Sequence, residues 1–109
     1  MPKERILVVD DNKVNRDVLA RRLTHENYEV VTAAGGISAL EHMRCERFSL
    51  VLLDMVMPDM DGIEVLQELR KTHGGLELPV LVVSADSDTP QMVSALDLGA
   101  NDYLTKPID

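Results

Sequence analysis

Hydrophobic and polar positions are arranged along the chain in two distinct ways. Short, nearly continuous apolar runs, such as residues 6–9 and 50–53, are typical of strands that are buried on both faces. Between these runs, apolar residues recur every three or four positions, which is the spacing of an amphipathic helix. The predicted strands are residues 6–9, 28–32, 50–53, 78–83 and 102–105, and the predicted helices are residues 13–26, 37–44, 63–72 and a fourth around 92–96 that ends at Gly99. Asn12 is the predicted N-cap residue of the first helix.

This alternation of strand and helix predicts an α/β fold. Buried strands separated by amphipathic helices form parallel sheets that are covered on both faces. Because connections between parallel strands are right-handed, a doubly wound open sheet is expected. Ligands of such sheets bind beyond the carboxyl ends of the strands, so the polar residues that follow each strand are the candidates for function.

Length and charge limit the classes of function. The 109 residues are enough for one domain, and the net charge of -8 repels nucleic-acid phosphates and anionic membranes. We therefore expect no direct binding to nucleic acid or membrane. No apolar stretch approaches the roughly 18 residues of a membrane span, and the one cysteine, Cys45, can form no internal disulfide. These features favour a cytoplasmic location.

Polar side chains stand where several of the predicted strands end. Asp10 and Asp11 follow the first strand, Asp54 the third, Ser84 the fourth and Lys106 the fifth. Parallel strands bring these ends to one edge of the sheet, where two carboxylates about 4 Å apart would repel by about 4 kcal/mol at an effective dielectric of about 20. A divalent cation relieves this repulsion. Carboxylate oxygens without Cys or His favour Mg²⁺, with Mn²⁺ or Ca²⁺ as substitutes.

The same groups are suited to the transfer of a phosphoryl group to a carboxylate. A metal held by two or three carboxylates keeps coordination positions open for phosphate oxygens. Lys106 supplies a point charge, Ser84 a hydrogen-bond donor and Asp54 a nucleophile. The pattern therefore predicts phosphoryl transfer to Asp54.

A second carboxylate pattern, Asp59-Met60-Asp61-Gly62, partly resembles the calcium loop of an EF-hand. Its first ligand position would hold a methionine, and a strand rather than a helix precedes it. We interpret Asp59 and Asp61 as solvated loop acids.

The chain carries four separated motifs, which are ILVVDDN at 6–12, LVLLDMVMPDMDG at 50–62, VLVVSA at 80–85 and GANDYLTKP at 99–107. Together they resemble the receiver domain of two-component response regulators over essentially the full chain. The resemblance implies a flavodoxin-like, doubly wound five-stranded parallel sheet of order 2-1-3-4-5. It implies that residues 1–109 form a phosphoacceptor signalling domain, not an enzyme, which assists its own phosphorylation and dephosphorylation. The phosphoryl group would come from a histidine kinase or a histidine phosphotransfer protein.

The resemblance also implies a role for individual acids and for one backbone group. Asp54 would be the phosphoacceptor. Asp11, Asp54 and the backbone carbonyl of Val56 would bind Mg²⁺ directly, and Asp10 would act through a water molecule.

Further roles concern the phosphoryl group and the switch that it controls. Ser84 and Lys106 would contact the phosphoryl oxygens. Tyr103 would turn inward when Ser84 is drawn to the phosphate, which changes the surface of the fourth helix and fifth strand. The supporting positions implied by the resemblance are Met57, Gly62, Ala85 and Pro107, the last expected after a cis peptide bond.

The end of the chain departs from the family pattern. Receiver domains usually continue with a fifth amphipathic helix after the Lys-Pro pair, whereas this sequence stops at Asp109. We expect either a domain cut before that helix, with an effector domain beyond, or a homodimer that covers the uncovered face. Without that helix, apolar side chains near the first and fifth strands would be exposed, including alternate residues of 6–9.

Two other functions are alternatives. A small haloacid-dehalogenase-like phosphohydrolase also uses an Asp nucleophile with Mg²⁺, but it needs a second acid two residues further on, where this chain has Val56. A receiver-like interaction domain that is never phosphorylated is disfavoured by the intact acids, Ser84 and Lys106.

Overall fold

The computed structural model of the protein describes residues 3–74, 77–84 and 89–105, with the backbone alone for residues 89–92. Each predicted strand and helix is present in these ranges, with differences only at the ends. The fourth strand begins at Val80, because Pro79 has no N–H with which to join a strand ladder. In chain order the elements are β1 (Arg5–Val9), α1 (Lys13–His25), β2 (Glu29–Ala33), α2 (Gly36–Cys45), β3 (Leu50–Asp54), α3 (Gly62–Arg70), β4 (Val80–Ser84), α4 (Thr89–Asp97) and β5 (Asp102–Thr105).

The five strands form one parallel sheet in the order β2-β1-β3-β4-β5. This is the flavodoxin-like, doubly wound arrangement that the resemblance implies. In the register, Val9 of β1 pairs with Leu53 of β3, and Ser84 of β4 pairs with Thr105 of β5. The carboxyl ends of the strands therefore lie along a common edge.

Apolar side chains cover both faces of the sheet. On one face, Leu7 and Leu53 lie in a buried cluster with Val65, Leu66 and Leu69 of α3. Full burial of such a side chain contributes about 1.5–3 kcal/mol. This packing fixes the sheet against α3, whose amino end begins close to the end of β3.

On the opposite face of the sheet, the prediction that alternate residues of β1 are exposed is wrong. Residues 6–9 are all at most 3% exposed. Ile6 and Val8 form a second buried cluster with Leu52, and Leu19 and Leu23 of α1 pack against it. Because α1 crosses over this part of the sheet, β1 is covered by α1 itself.

On β5 the prediction of exposed apolar side chains is confirmed. Tyr103 is 41% exposed and Leu104 is 37% exposed.

Among the helices that the structure describes, none combines the length and the apolar character needed to cross a membrane.

Candidate functional site

Three carboxylates meet at the carboxyl edge of the sheet. Asp10 directly follows β1, Asp54 is the last residue of β3, and these two strands are neighbours. One carboxylate oxygen of each of Asp10, Asp11 and Asp54 lies within 4.8 Å of the others. Asp10 and Asp54 are buried, being 3% and 4% exposed, whereas Asp11 is exposed. The predicted convergence of these acids is confirmed.

Backbone N–H groups hold the two buried carboxylates in place. The Asn12 N–H donates to Oδ1 of Asp10 at 2.9 Å, and the Val56 N–H donates to Oδ1 of Asp54 at 3.3 Å. The guanidinium of Arg16 donates to the backbone carbonyl of Asp10 at 2.8 Å. Hydrogen bonds from the backbone orient a carboxylate without supplying a full positive charge.

The beginning of α1 fixes Asn12 beside this cluster. As predicted, Asn12 is the N-cap residue of α1, and its side chain accepts a hydrogen bond from the Asn15 N–H at 3.1 Å. Such a cap is worth about 1 kcal/mol. One residue thus supplies a cap to the helix and a backbone donor to Asp10.

The donor set fits a hard divalent cation. All three side chains offer carboxylate oxygens, which are the ligands that Mg²⁺ prefers. Three like charges at this spacing repel one another, and two of them are largely removed from water. A doubly charged cation bound among them would offset most of that repulsion.

Ser84 lies next to the acid cluster in the sheet. It is the last residue of β4 and is 5% exposed, and its neighbour Val83 pairs with Asp54. Among the described residues, Asp10, Asp54 and Ser84 are the buried polar side chains. A buried hydroxyl therefore ends the strand that neighbours the one carrying Asp54.

Tyr103 lies on the edge strand β5, opposite Val82 in the register and 41% exposed. The predictions for Ala85, Lys106 and Pro107 lie outside the described residues.

The segment after Asp54 alternates buried and exposed side chains. Met55 and Met57 are buried, being 4% and 7% exposed, whereas Val56 is 68% exposed. The two methionines anchor the segment to the core, and the side chain of Val56 faces solvent.

Gly62 occupies a position with no room for a side chain. A Cβ atom there would lie 2.7 Å from the backbone oxygen of Asp54 and 2.8 Å from Cα of Met55. The Gly62 N–H donates to the Met55 carbonyl at 2.9 Å. Close approach of α3 to the end of β3 therefore requires glycine at this position.

Asp59 is an exposed loop acid, as predicted, but it also has a structural role. Its carboxylate accepts hydrogen bonds from the N–H groups of Gly36 and Ile37, both at 3.1 Å, and from that of Met60 at 2.8 Å. Gly35, the N-cap residue of α2, has no side chain to do this, so Asp59 caps α2 from a distant loop. The hydrogen bonds, that from Ile37 first, hold the pKa of Asp59 below its usual range.

Asp61 is also more than a solvated acid. It accepts the Glu64 N–H at 2.9 Å as the N-cap of α3, and the Glu64 side chain accepts the Asp61 N–H at 3.4 Å. This reciprocal pair is a capping box, whose spacing is readable in the sequence. By contrast, Gly36 and Ile37, the partners of Asp59 on α2, are more than twenty residues away from it and follow no local pattern.

Comparison with known proteins places these features in one family. The model of the response regulator receiver domain matches residues 6–109. A response regulator called MprA, from Mycobacterium ulcerans (strain Agy99), is 45% identical over 103 residues, which cover 94% of this chain and 44% of MprA. The chain spans less than half the length of the curated relatives that it matches.

Solved structures show the same likeness in three dimensions. A CheY-like receiver domain protein from Methanospirillum hungatei JF-1 is 33% identical with a TM-score of 0.92, and the match covers 99% of this chain and 85% of that one. The response regulator TrrA from Thermotoga maritima, solved in complex with Mg²⁺-BeF, is 34% identical with a TM-score of 0.85. That match covers 97% of this chain and 89% of TrrA.

Proposed function

The chain belongs to the response regulator receiver domain family, a class of phosphoacceptor signalling domains, and from this premise we propose that Asp54 is its phosphoacceptor. The observation that carries the proposal is the meeting of Asp54 with Asp10 and Asp11 at the carboxyl edge of the sheet. A carboxylate held on a buried strand end is a positioned nucleophile, and positioning provides much of the rate in phosphoryl transfer.

We propose that Asp11, Asp54 and the backbone carbonyl of Val56 hold Mg²⁺ directly, and that Asp10 acts through water. The oxygen-only donor set supports this assignment, and Mn²⁺ or Ca²⁺ would substitute by the same chemistry. When bound, the cation supplies neutralising charge for the phosphoryl oxygens. The complex of TrrA with Mg²⁺-BeF is consistent with such a site in a related protein.

The chain's own groups have defined tasks in the transfer. A carboxylate oxygen of Asp54 attacks phosphorus, a P–O bond forms, and the P–N bond of a phosphohistidine donor breaks. The Val56 N–H, at 3.3 Å from Oδ1 of Asp54, restricts rotation of the carboxylate. Ser84 donates its hydroxyl to a phosphoryl oxygen, and Lys106 pairs with another.

We propose that phosphorylation changes the surface formed by α4 and β5. Tyr103 is 41% exposed, and Val93 and Leu96 of α4 are 49% and 39% exposed. Movement of Ser84 toward the phosphoryl group would make room for the Tyr103 ring to turn inward. Such a change would repack an apolar surface to which a partner can bind.

The partners proposed for this domain are a histidine kinase or phosphotransfer protein, and an effector domain or a second copy of the chain. MprA is more than twice as long as the part of it that this chain matches, which supports an effector domain in the whole protein. The cytoplasmic location stays a prediction.

The haloacid-dehalogenase-like alternative is not supported. The family model and the relatives are receiver domains, and the position two residues after Asp54 is Val56, whose side chain is 68% exposed. A domain that is never phosphorylated is the alternative that the following experiment addresses.

The test is incubation with acetyl phosphate, with and without Mg²⁺, followed by intact-mass measurement. We expect one added phosphoryl group that requires Mg²⁺ and is lost in Asp54→Ala. The matched control is Asp17→Ala, because Asp17 is an exposed aspartate paired with Lys13 on α1. Unchanged mass of the wild-type protein with Mg²⁺ would contradict the proposal. Rapid turnover of phosphate esters would favour the phosphohydrolase alternative instead.

A further inference from the structure

Asp59 joins the segment after the proposed phosphoacceptor to the beginning of α2. Its two carboxylate oxygens accept the N–H groups of Gly36 and Ile37, one oxygen to each. A Cβ atom on Gly35 would lie 2.7 Å from either oxygen of Asp59, and one on Gly36 would lie 2.7 Å from Cβ of Met60. The junction is therefore close-packed, with glycines on one side and an acid on the other.

The rest of the segment is held at points on either side of Val56. The Met55 N–H donates to the carbonyl of Val83 at 3.0 Å, and the Gly62 N–H donates to the carbonyl of Met55 at 2.9 Å. Between Met55 and Gly62, the hydrogen bonds of Asp59 to α2 tie the segment to a separate element of the fold. The backbone of Val56 thus lies between an anchor on β4 and an anchor on α2.

We propose that Asp59 is a positioning residue, which fixes the backbone of Val56 relative to the carboxylates of Asp10, Asp11 and Asp54. The inference rests on the proposed function, in which the carbonyl of Val56 is a Mg²⁺ ligand. A backbone ligand has no rotamer of its own, so only the conformation of its loop can place it. Groups that orient metal ligands from outside the ligand set typically change metal affinity by about 10- to 100-fold when removed.

Two variants break the junction in different ways. Asp59→Ala removes the carboxylate and its charge. Gly35→Ala keeps the charge but places a methyl group 2.7 Å from the carboxylate oxygens of Asp59, so the carboxylate must move. Agreement between the two variants separates the geometry of the junction from the loss of one negative charge near a cation.

The matched control is Glu46→Ala. Glu46 follows the other end of α2, where it accepts contacts from Arg5 and His42. This change removes the same charge and also removes stabilising contacts at one end of the same helix. It leaves the junction with Asp59 intact.

Two measurements decide the inference. Isothermal titration calorimetry gives the Kd for Mg²⁺, and we expect about tenfold weaker binding in Asp59→Ala and Gly35→Ala but less than about twofold change in Glu46→Ala. In metal-free protein, the NMR resonance of the Val56 amide should shift in the first two variants and stay in place in the control. Asp59→Asn, which keeps one acceptor oxygen, should give an intermediate affinity if Asp59→Ala fails to fold.

The inference would be overturned if Asp59→Ala and Gly35→Ala were less stable but kept the wild-type Mg²⁺ affinity and an unmoved Val56 amide. Asp59 would then serve only as a cap for α2. Failure of the proposed function looks different. In that case the wild-type protein itself would take up no phosphoryl group with Mg²⁺, whatever the variants do to the Val56 amide.

Discussion

The two ends of the sheet carry their charges in opposite arrangements. At the amino ends of the strands, Arg5 contacts Glu29 at 3.2 Å and Glu46 at 3.4 Å, and His42 contacts Glu46 at 2.8 Å. At the carboxyl ends, oxygens of three aspartates lie within 4.8 Å of one another. At the amino ends, Glu29 and Glu46 are thus paired with a guanidinium, whereas at the carboxyl ends acids are gathered together, and backbone N–H groups donate to Asp10 and Asp54.

The energies of the two arrangements differ in sign. Partly exposed ion pairs such as those of Arg5 contribute about 0–1 kcal/mol each to stability. Gathered carboxylates destabilise the folded protein, and by more when they are buried, since water screens them less. The ion pairs at the amino end thus contribute modestly to stability, and we expect the proposed cation to relieve the repulsion at the carboxyl end.

The largest effect that tests this contrast is on metal affinity. Asp11→Ala should weaken Mg²⁺ binding by at least about tenfold, because it removes a proposed direct ligand. Glu29→Ala, the same loss of charge at the amino end, should leave the affinity within about twofold, because exposed charges beyond a Debye length of about 10 Å are largely screened. Both values come from isothermal titration calorimetry. Equal affinities for the two variants would remove Asp11 from the ligand set.

The carboxyl end of this contrast can be predicted from the sequence. Asp10 and Asp54 each follow a buried apolar run, and a parallel sheet must bring such positions together. That inference needs only the type of each element and the direction of each strand. Local signals were equally sufficient for the cap of α1 by Asn12.

What the sequence does not contain is contact between distant segments. The bond between Asp59 and Gly36 spans 23 residues, and neither residue belongs to a periodic pattern that would pair them. The burial of Ile6 and Val8 depends in the same way on the path of α1 across the sheet, which places Leu19 and Leu23 over β1. Both features come from tertiary packing, which local patterns cannot specify.

The stability of the metal-free protein should show a smaller effect, and its sign should differ between substitutions at the two ends of the sheet. Asp54→Asn should raise the free energy of unfolding by about 1 kcal/mol, because it removes one charge from the repelling cluster and keeps an oxygen for the Val56 N–H. Arg5→Ala should lower it by about 0.5 kcal/mol through the loss of two partly exposed pairs. Urea denaturation in the presence of a chelator measures both.

Addition of Mg²⁺ provides the internal control for these two variants. A ligand that binds only the folded state stabilises it by an amount that grows with the logarithm of its concentration divided by its Kd. The wild-type protein and Arg5→Ala should therefore gain stability with Mg²⁺, while Asp54→Asn should gain little. A destabilised Asp54→Asn protein without metal would contradict the view that the carboxyl end is under electrostatic strain.

The smallest expected effect concerns how Asp59 depends on pH. Because its hydrogen bonds to the backbone of Ile37 and Gly36 hold the pKa of Asp59 below its usual range, the ionised form is favoured in the folded state. The resulting stability is fully present above the unfolded pKa of about 3.9 and is lost as pH falls through the lower folded pKa. The advantage of the wild-type protein over Asp59→Asn in urea denaturation should therefore shrink as pH falls below about 4.

Salt distinguishes this contribution from the ion pairs at the amino end. Salt screens the attraction between partly exposed charges, so the difference between the wild-type protein and Arg5→Ala should diminish at high ionic strength. Hydrogen bonds from backbone N–H groups act at contact distance and depend less on screening, so the difference from Asp59→Asn above pH 4 should persist. Equal loss of both differences in salt would mean that the acids at the two ends of the sheet are held by the same kind of force.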